Sequence, residues 1–368
     1  MIDIEANTSS LVVRVAFLDV GQGDTIVISC AETHEAYVVD CINADAVLDY
    51  LQQEQVQFLR NVIITHLHAD HYNHVADLLD NYSVIPDLSS CEALVCNDYR
   101  NRKDWARLQE DGDLHSSSMS SSLLRKTPLQ DLRRWIASNK RKYSELKLGA
   151  SVGPLKGILA NNIKILHPYG ADYPELEAKG LNNTSIAMRV IGPGANASVL
   201  LTGDLEPIGW HRLLENHSER DIHSNVLKFP HHGGTWGASD TIELLNAVQP
   251  SIVIFSVGTD GEKYKHPNRE VFEILASPPY THIRVLCTQA TKQCCTSIEM
   301  QRTPIIQHLN KLAYDRGQER IGSKRGCPCA GTIIVELNEK ASIVQPSLLF
   351  HKDSIVLPHF NTHKCTLL

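Results

Sequence analysis

The stretch Thr65-His66-Leu67-His68-Ala69-Asp70-His71 sets three imidazoles and one carboxylate within six residues, directly after the apolar, β-branched run Val62 to Thr65. Neutral imidazole and carboxylate are the donors that borderline divalent cations take. A turn at a strand end can aim His66 and His68 at one ion and Asp70 and His71 at a neighbour. The alternative is a solvated histidine-rich loop, and three further strand ends in the chain weigh against it.

The first of these is Leu200-Leu201-Thr202-Gly203-Asp204, an apolar run, a glycine and then an acid that could bridge two cations. Alone, a strand-Gly-Asp turn is usually structural. The second, Lys228-Phe229-Pro230-His231-His232-Gly233-Gly234, again puts histidines after an apolar run, with glycines that permit close backbone approach. One or both imidazoles can complete a metal shell, a helix cap or a carbonyl-bonded histidine being the alternative. The third, Tyr264-Lys265-His266-Pro267-Asn268, precedes a helical pattern, and His266 is a candidate proton donor to a leaving group or a plain surface residue.

Outward from these motifs, strand-like runs at Val12–Phe17, Asp24–Ser29, Ile163–Leu166, Thr184–Ile191, Val199–Thr202, Val226–Phe229, Ile252–Ser256 and Arg284–Cys287 interleave with helical patterns at Ala44–Gln53, Trp210–Asn216, Ile242–Ala247 and Glu270–Leu275. That alternation predicts a layered α/β domain. A last strand is expected at Gly331–Leu337, so one domain over residues 1–340 is expected, with an unassigned tail at 341–368. An insertion is expected at about 97–157, containing the serine-rich Ser116–Ser122 and a helix over Thr127–Leu146. Arg133, Arg134, Lys140, Arg141 and Lys142 on that helix could line the path of a phosphate-bearing substrate, or form a solvated face.

With 368 residues, 42 % of them hydrophobic, the chain can bury a full core. Its net charge of -7 excludes a uniformly basic nucleic-acid-tracking surface and leaves only a regional one. No apolar run reaches the roughly eighteen residues a membrane span needs, and Arg14 and Asp19 interrupt the first one, so a cytoplasmic protein without a leader is expected. Its ten cysteines then fit reduced thiols or metal ligands. Cys294, Cys295, Cys327 and Cys329 are candidates for a structural metal, although their spacing is irregular.

Asp40 after a short strand, the His66-x-His68-x-Asp70-His71 box, the Gly203-Asp204 turn and His231-His232-Gly233 occur in the order of the metallo-β-lactamase superfamily. Phe17-Leu18-Asp19-Val20-Gly21-Gln22-Gly23-Asp24, Asn182-Asn183-x-Ser185, Leu201-Thr202-Gly203-Asp204 and His266-Pro267 resemble the hydrolase domain of the ComEC competence family, in its soluble, stand-alone form, over about residues 12–337. The resemblance implies a four-layer αββα fold, two mixed sheets between helices. It also implies a hydrolase that cleaves phosphodiesters with hydroxide activated by two divalent cations, zinc or manganese.

It places His66 and His68 at one ion, Asp70 and His71 at the other, Asp204 between them, and His231 or His232 completing the shell. Asp40 and Asn183 would stand behind the ligands, Asn182-Asn183 replacing a histidine usual in the superfamily. Asp70, His232 and His266 are the expected catalytic groups. The implied substrate is a nucleic acid or another phosphodiester, with a protein partner in a multi-component system and no membrane. A small ester, lactone or phosphocholine-type diester is the alternative substrate, and a metal-stabilised scaffold the alternative class.

Overall fold

The computed structural model describes residues 11–80, 92–95, 128–138, 143–145, 155–259, 266–291 and 327–359. The chain opens with an antiparallel meander of β1 (Val13–Phe17), β2 (Ile26–Cys30) and β3 (Glu35–Val39). In β1 the alternation of the sequence divides the faces: Val13, Val15 and Phe17 turn to one layer of core and Ala16 to the other. Helix α1 (Ala44–Gln53) is capped by the Asn43 side chain accepting from Ala46 N at 3.1 Å and spans the bounds its apolar spacing predicts. It crosses over to β4 (Phe58–Ile64), which lies parallel to β3.

Two short helices follow, α2 (Ala69–Tyr72) and α3 (Val75–Asp80), before β5 (Glu92–Val95) continues the sheet in parallel. The helix expected over Thr127–Leu146 is shorter: α4 spans Pro128–Ser138, and Tyr143–Glu145 forms β6, paired to β5. Hydrogen bonding to the open edge of β5 overrides the helical pattern there, because an edge strand offers a full row of partners. Ser116–Ser122, Lys140, Arg141 and Lys142 lie outside the described residues.

The second sheet runs through β7 (Ile163–His167), β8 (Ala187–Ile191), β9 (Ser198–Leu201), β10 (Val226–Lys228), β11 (Ile252–Phe255) and β12 (Arg284–Cys287), paired in that order. β7 to β9 are antiparallel, and β9 to β12 parallel. The strand expected from Thr184 begins three residues later, since Leu181–Thr184 is a tight helical turn in which Thr184 Oγ1 donates to Leu181 O at 2.7 Å. β13 (Ile333–Leu337) returns to the first sheet beside β1, and the segment left unassigned from residue 341 opens with β14 (Ala341–Gln345), which pairs to β13 at the sheet edge.

Three apolar layers result. Val15, Phe17, Ile28, Met188, Leu201 and Ile254 pack between the sheets. Val47, Leu51, Leu78 and Trp135 seal the outer face of the first sheet. Trp210, Leu213, Leu244 and Phe272 seal that of the second, from α5 (Pro207–Asn216), α6 (Ala238–Val248) and α7 (Arg269–Leu275). Helices thus cover the outer faces of two mixed sheets, in the expected αββα order. No helix among the described residues is long and apolar enough to cross a membrane.

His167, at the end of β7, is fully buried, with Nδ1 2.9 Å from Ser185 O and Nε2 without a partner. Burial pushes it down to about 4 from the ordinary 6.5. Below pH 6.5 the unfolded chain takes up a proton that the folded chain refuses, so this residue withdraws stability as pH falls from 6.5 to about 4, by about 3 kcal/mol in all. His167→Gln should flatten the acid limb of a thermal-melt pH series relative to the parent chain; parallel limbs would contradict this.

Candidate metal centre

The carboxyl ends of β3, β4, β9, β10 and β11 meet at one rim of the sandwich, where the chain leaves each strand into the turns of interest. Because β2 runs antiparallel to β3, with Ile26 opposite Val39, its entry residue Asp24 reaches the same rim. The turn before it needs Gly23, whose φ is 111° and where a Cβ would drive into the Asp70 carbonyl. Asp24 N donates to that same carbonyl at 3.3 Å, so the first turn and the histidine box are tied together.

Asp40 follows β3 with φ 57°, an uncommon conformation for a side-chain-bearing residue, and is fully buried. Its Oδ1 accepts from Thr65 N and its Oδ2 from Thr65 Oγ1, both at 2.7 Å. Oδ2 also lies 2.6 Å from His71 Nδ1. That contact turns the other nitrogen, His71 Nε2, inward to 3.2 Å from Asp204 Oδ2. Burial opposes a charged His71, but the Asp204 and Asp40 carboxylates outweigh it and hold the ring well above the usual histidine range.

His66 is buried beside it, and His66 Nε2 stands 3.1 Å from His68 Nδ1. Nitrogens sharing one zinc at about 2.0–2.1 Å stand about 3.3 Å apart, so the pair already has the spacing of two ligands on one ion. Burial, with His71 and His68 alongside, keeps His66 well below the usual range and therefore neutral, the form that ligates. Asp70 is only partly buried, and its charge acts on His266.

From the second sheet, Gly203 turns the chain with φ 52° where a Cβ would meet the Ser185 and Thr65 side chains, and Asp204 follows. Asp204 is buried, yet the imidazoles of His232 and His71 and the Lys228 ammonium hold its carboxyl well below the usual range. The two histidines after Pro230 separate clearly. His232 is buried, with Nδ1 2.7 Å from Ser256 O and Nε2 3.4 Å from Asp204 Oδ1. His231 is more open and touches Thr235 Oγ1 at 3.1 Å and Asn182 Nδ2 at 3.4 Å. Both rest at positive φ, 47° and 51°, a strained pair of the kind that clusters at functional sites.

His266 packs its ring 5.2 Å from that of His231 and 6.2 Å from that of His232. Burial, reinforced by those two rings, takes it down to about 4. At neutral pH the ring is therefore unprotonated, which suits accepting a proton or ligating and not the donor role expected from sequence. Asn183 also differs from expectation. Its amide donates to Glu206 Oε2 and Lys179 O, and its Oδ1 accepts from Gly209 N, so it fastens the start of α5 and not a ligand. Asn182 is the one beside His231.

Two residues that sequence reasoning left unassigned stand at the middle of the cluster. Ligand atoms of Asp24, His71, Asp204 and His232 lie within 4.8 Å of one another. Lys228, fully buried, reaches Asp24 Oδ2 at 2.5 Å and Asp204 Oδ1 at 3.3 Å. The signal was available: a lysine inside Val226-Leu227-Lys228-Phe229 must be buried in a sheet, and a buried ammonium needs a carboxylate partner.

The donor set fits a divalent cation. His71 Nε2, His232 Nε2 and Asp24 Oδ1 are buried without a well-formed hydrogen bond, the two imidazole nitrogens meeting only the Asp204 carboxylate at 3.2 and 3.4 Å, which leaves these atoms available to a cation. Three buried carboxylates, Asp24, Asp40 and Asp204, also face a single buried ammonium.

The remaining expected residues are not gathered here. Arg134 is exposed and pairs with Asp131 at 3.1 Å, while the Arg133 side chain lies outside the described residues. Cys294 and Cys295 also lie outside them. Cys327 and Cys329 are buried, with Cys329 Sγ 3.3 Å from His351 Nε2, and neither joins a group of three or more potential ligands among the described residues.

No family model and no curated protein matches the chain. Among solved structures, unliganded yeast PDE1 is similar over 90% of this chain and 96% of its own, at 12% identity and a TM-score of 0.39. Igni18, a metallo hydrolase of the archaeon Ignicoccus hospitalis, is similar over 75% and 94%, at 10% identity and a TM-score of 0.36. The short form of human tRNase Z is similar over 68% and 94%, at 13% identity and a TM-score of 0.35. At such values these likenesses carry nothing about substrate. The αββα sandwich gathers its histidine and aspartate turns on one rim.

Proposed function

We propose that this chain is a metal-dependent hydrolase acting on phosphodiesters, nucleic acid foremost, with His66, His68, Asp70, His71, Asp204 and His232 as its ligands. The observation that carries the reading is the convergence of the buried His71 Nε2 and His232 Nε2 on Asp204, from two different sheets. Zinc or manganese bound there would supply Lewis acidity and lower the pKa of water towards neutrality.

The chain's own residues do the positioning. Asp40 fixes the His71 ring, the Ser256 carbonyl fixes His232, and both present Nε2 to the centre. His266, unprotonated at neutral pH, is placed to accept a proton at the mouth of the cluster. The phosphodiester preference follows from the resemblance of the sequence motifs to ComEC-type hydrolase domains, and a cytoplasmic setting and a protein partner belong to the same proposal.

The test is elemental analysis of protein purified without added metal, followed by assays of the metal-loaded chain. Single-stranded DNA, duplex DNA, RNA and a chromogenic phosphodiester are the substrates. Bound metal and chelator-sensitive phosphodiester cleavage, lost in His66→Ala and Asp70→Ala, is the expected result. Cleavage only of carboxylic esters or lactones would overturn the substrate class, and a chain that retains no divalent ion would overturn the whole reading.

A further inference from the structure

Lys228 is the last residue of β10, flanked by buried apolar residues, and its ammonium is wholly withdrawn from solvent. Its three donors have three acceptors: Asp24 Oδ2 at 2.5 Å, Gly203 O at 2.7 Å and Asp204 Oδ1 at 3.3 Å. No donor remains for a substrate, which separates this lysine from a catalytic one. The contacts take one oxygen from each carboxylate. Asp204 Oδ1 is shared with His232 Nε2 at 3.4 Å, while Asp204 Oδ2, 3.2 Å from His71 Nε2, and Asp24 Oδ1, 3.8 Å from His232 Nδ1, are free of the lysine.

We propose that Lys228 is a built-in counter-ion of the centre, a positioning residue that holds Asp24 and Asp204 in place before metal arrives and restrains the affinity for divalent cations. The inference rests on the metal-centre reading above. Physically, the ammonium does two opposing things. It offsets carboxylates that burial would otherwise make intolerable, so the metal-free fold survives. It also stands as a fixed positive charge beside the ligand atoms, so an incoming cation meets repulsion that a neutral side chain would not supply. A lysine serving only to pack or to tie strands would, when removed, loosen metal binding. A counter-ion, when removed, tightens it.

The experiment compares the full chain with Lys228→Met and with Asp24→Asn/Lys228→Met. It reads thermal midpoint in chelator and zinc affinity by competition with a chromogenic chelator. Lys228→Met should melt lower without metal and bind zinc about tenfold more tightly or better, since a like charge within a few ångströms has been deleted. The double variant removes both members of the pair, and should recover most of the lost midpoint and return zinc affinity towards that of the parent.

A folded Lys228→Met that binds zinc no more tightly than the parent overturns the inference. So does a double variant no more stable than the single one. If Lys228→Met does not fold, the double variant decides, and its failure to fold overturns the inference as well. A parent chain that takes up no zinc defeats the metal-centre reading itself, whereas a zinc-binding parent with unchanged affinity in Lys228→Met defeats this inference alone.

Discussion

Asp204→Asn is expected to lower hydrolysis by about a thousandfold or more, because one carboxylate serves three partners at once. His71 Nε2 lies 3.2 Å from its Oδ2, and Lys228 Nζ and His232 Nε2 lie 3.3 and 3.4 Å from its Oδ1. An amide keeps the shape and removes the charge. It also turns an NH₂ towards either the ammonium or the imidazoles, so one side of the cluster meets a donor where it had an acceptor. Metal content should fall with activity, read by elemental analysis beside kcat/KM. Full metal occupancy with unchanged turnover would show that Asp204 neither ligates nor orders the centre.

Asp40→Ala is expected to have the largest effect on stability, and Asp40→Asn to separate that effect from function. The carboxylate accepts from Thr65 N and Thr65 Oγ1 and fixes His71 Nδ1, all without solvent. Alanine strands a buried backbone N–H and leaves the imidazole without its orienting acid, which costs about 3–5 kcal/mol. Asparagine can still accept from Thr65, so most of the stability returns. Its neutral oxygen accepts the Nδ1–H less strongly than a carboxylate does, so it orients the ring and raises the basicity of Nε2 less, and metal affinity should fall about 10–100-fold. Thermal melts with and without chelator separate the two. Equal melting of Asp40→Ala and the parent chain would exclude the role.

Much of the architecture was legible because strands buried on one face or both keep an unmistakable apolar rhythm. β1, α1 and β9 to β12 stand within a residue or two of where hydrophobic spacing puts them. Where the local signal and the sheet disagreed, the sheet prevailed: Tyr143–Glu145 joins β5 despite a helical pattern, and Ala341–Gln345 pairs with β13 although no strong pattern marks it. Such pairing depends on which edge is open, and no short window of sequence carries that.

In the centre, short-range motifs were readable and long-range partnerships were not. The histidine box announces itself by spacing alone. Lys228 and Asp24 are 204 positions apart, and only the crossing of the two sheets brings them to 2.5 Å. The difference between His231 and His232 likewise lies in a distant acceptor, Ser256 O, that fixes one ring and not the other. The surroundings of His266 were hidden for the same reason, since burial and four neighbouring groups, His232, His231, Asp204 and Asp70, all distant in the chain, set its protonation.

Asp24, Asp40 and the box from His66 to His71 belong to the first sheet, whereas Asp204, Lys228 and His232 belong to the second. Neither half of the chain holds a working set. During synthesis the first half emerges with its imidazoles and no counterpart, and the centre exists only after the two sheets close on each other. Assembly of the sandwich is thus what completes the centre: a nascent or half-folded chain lacks part of the ligand set, and an ion bound there would act as a clasp across the seam.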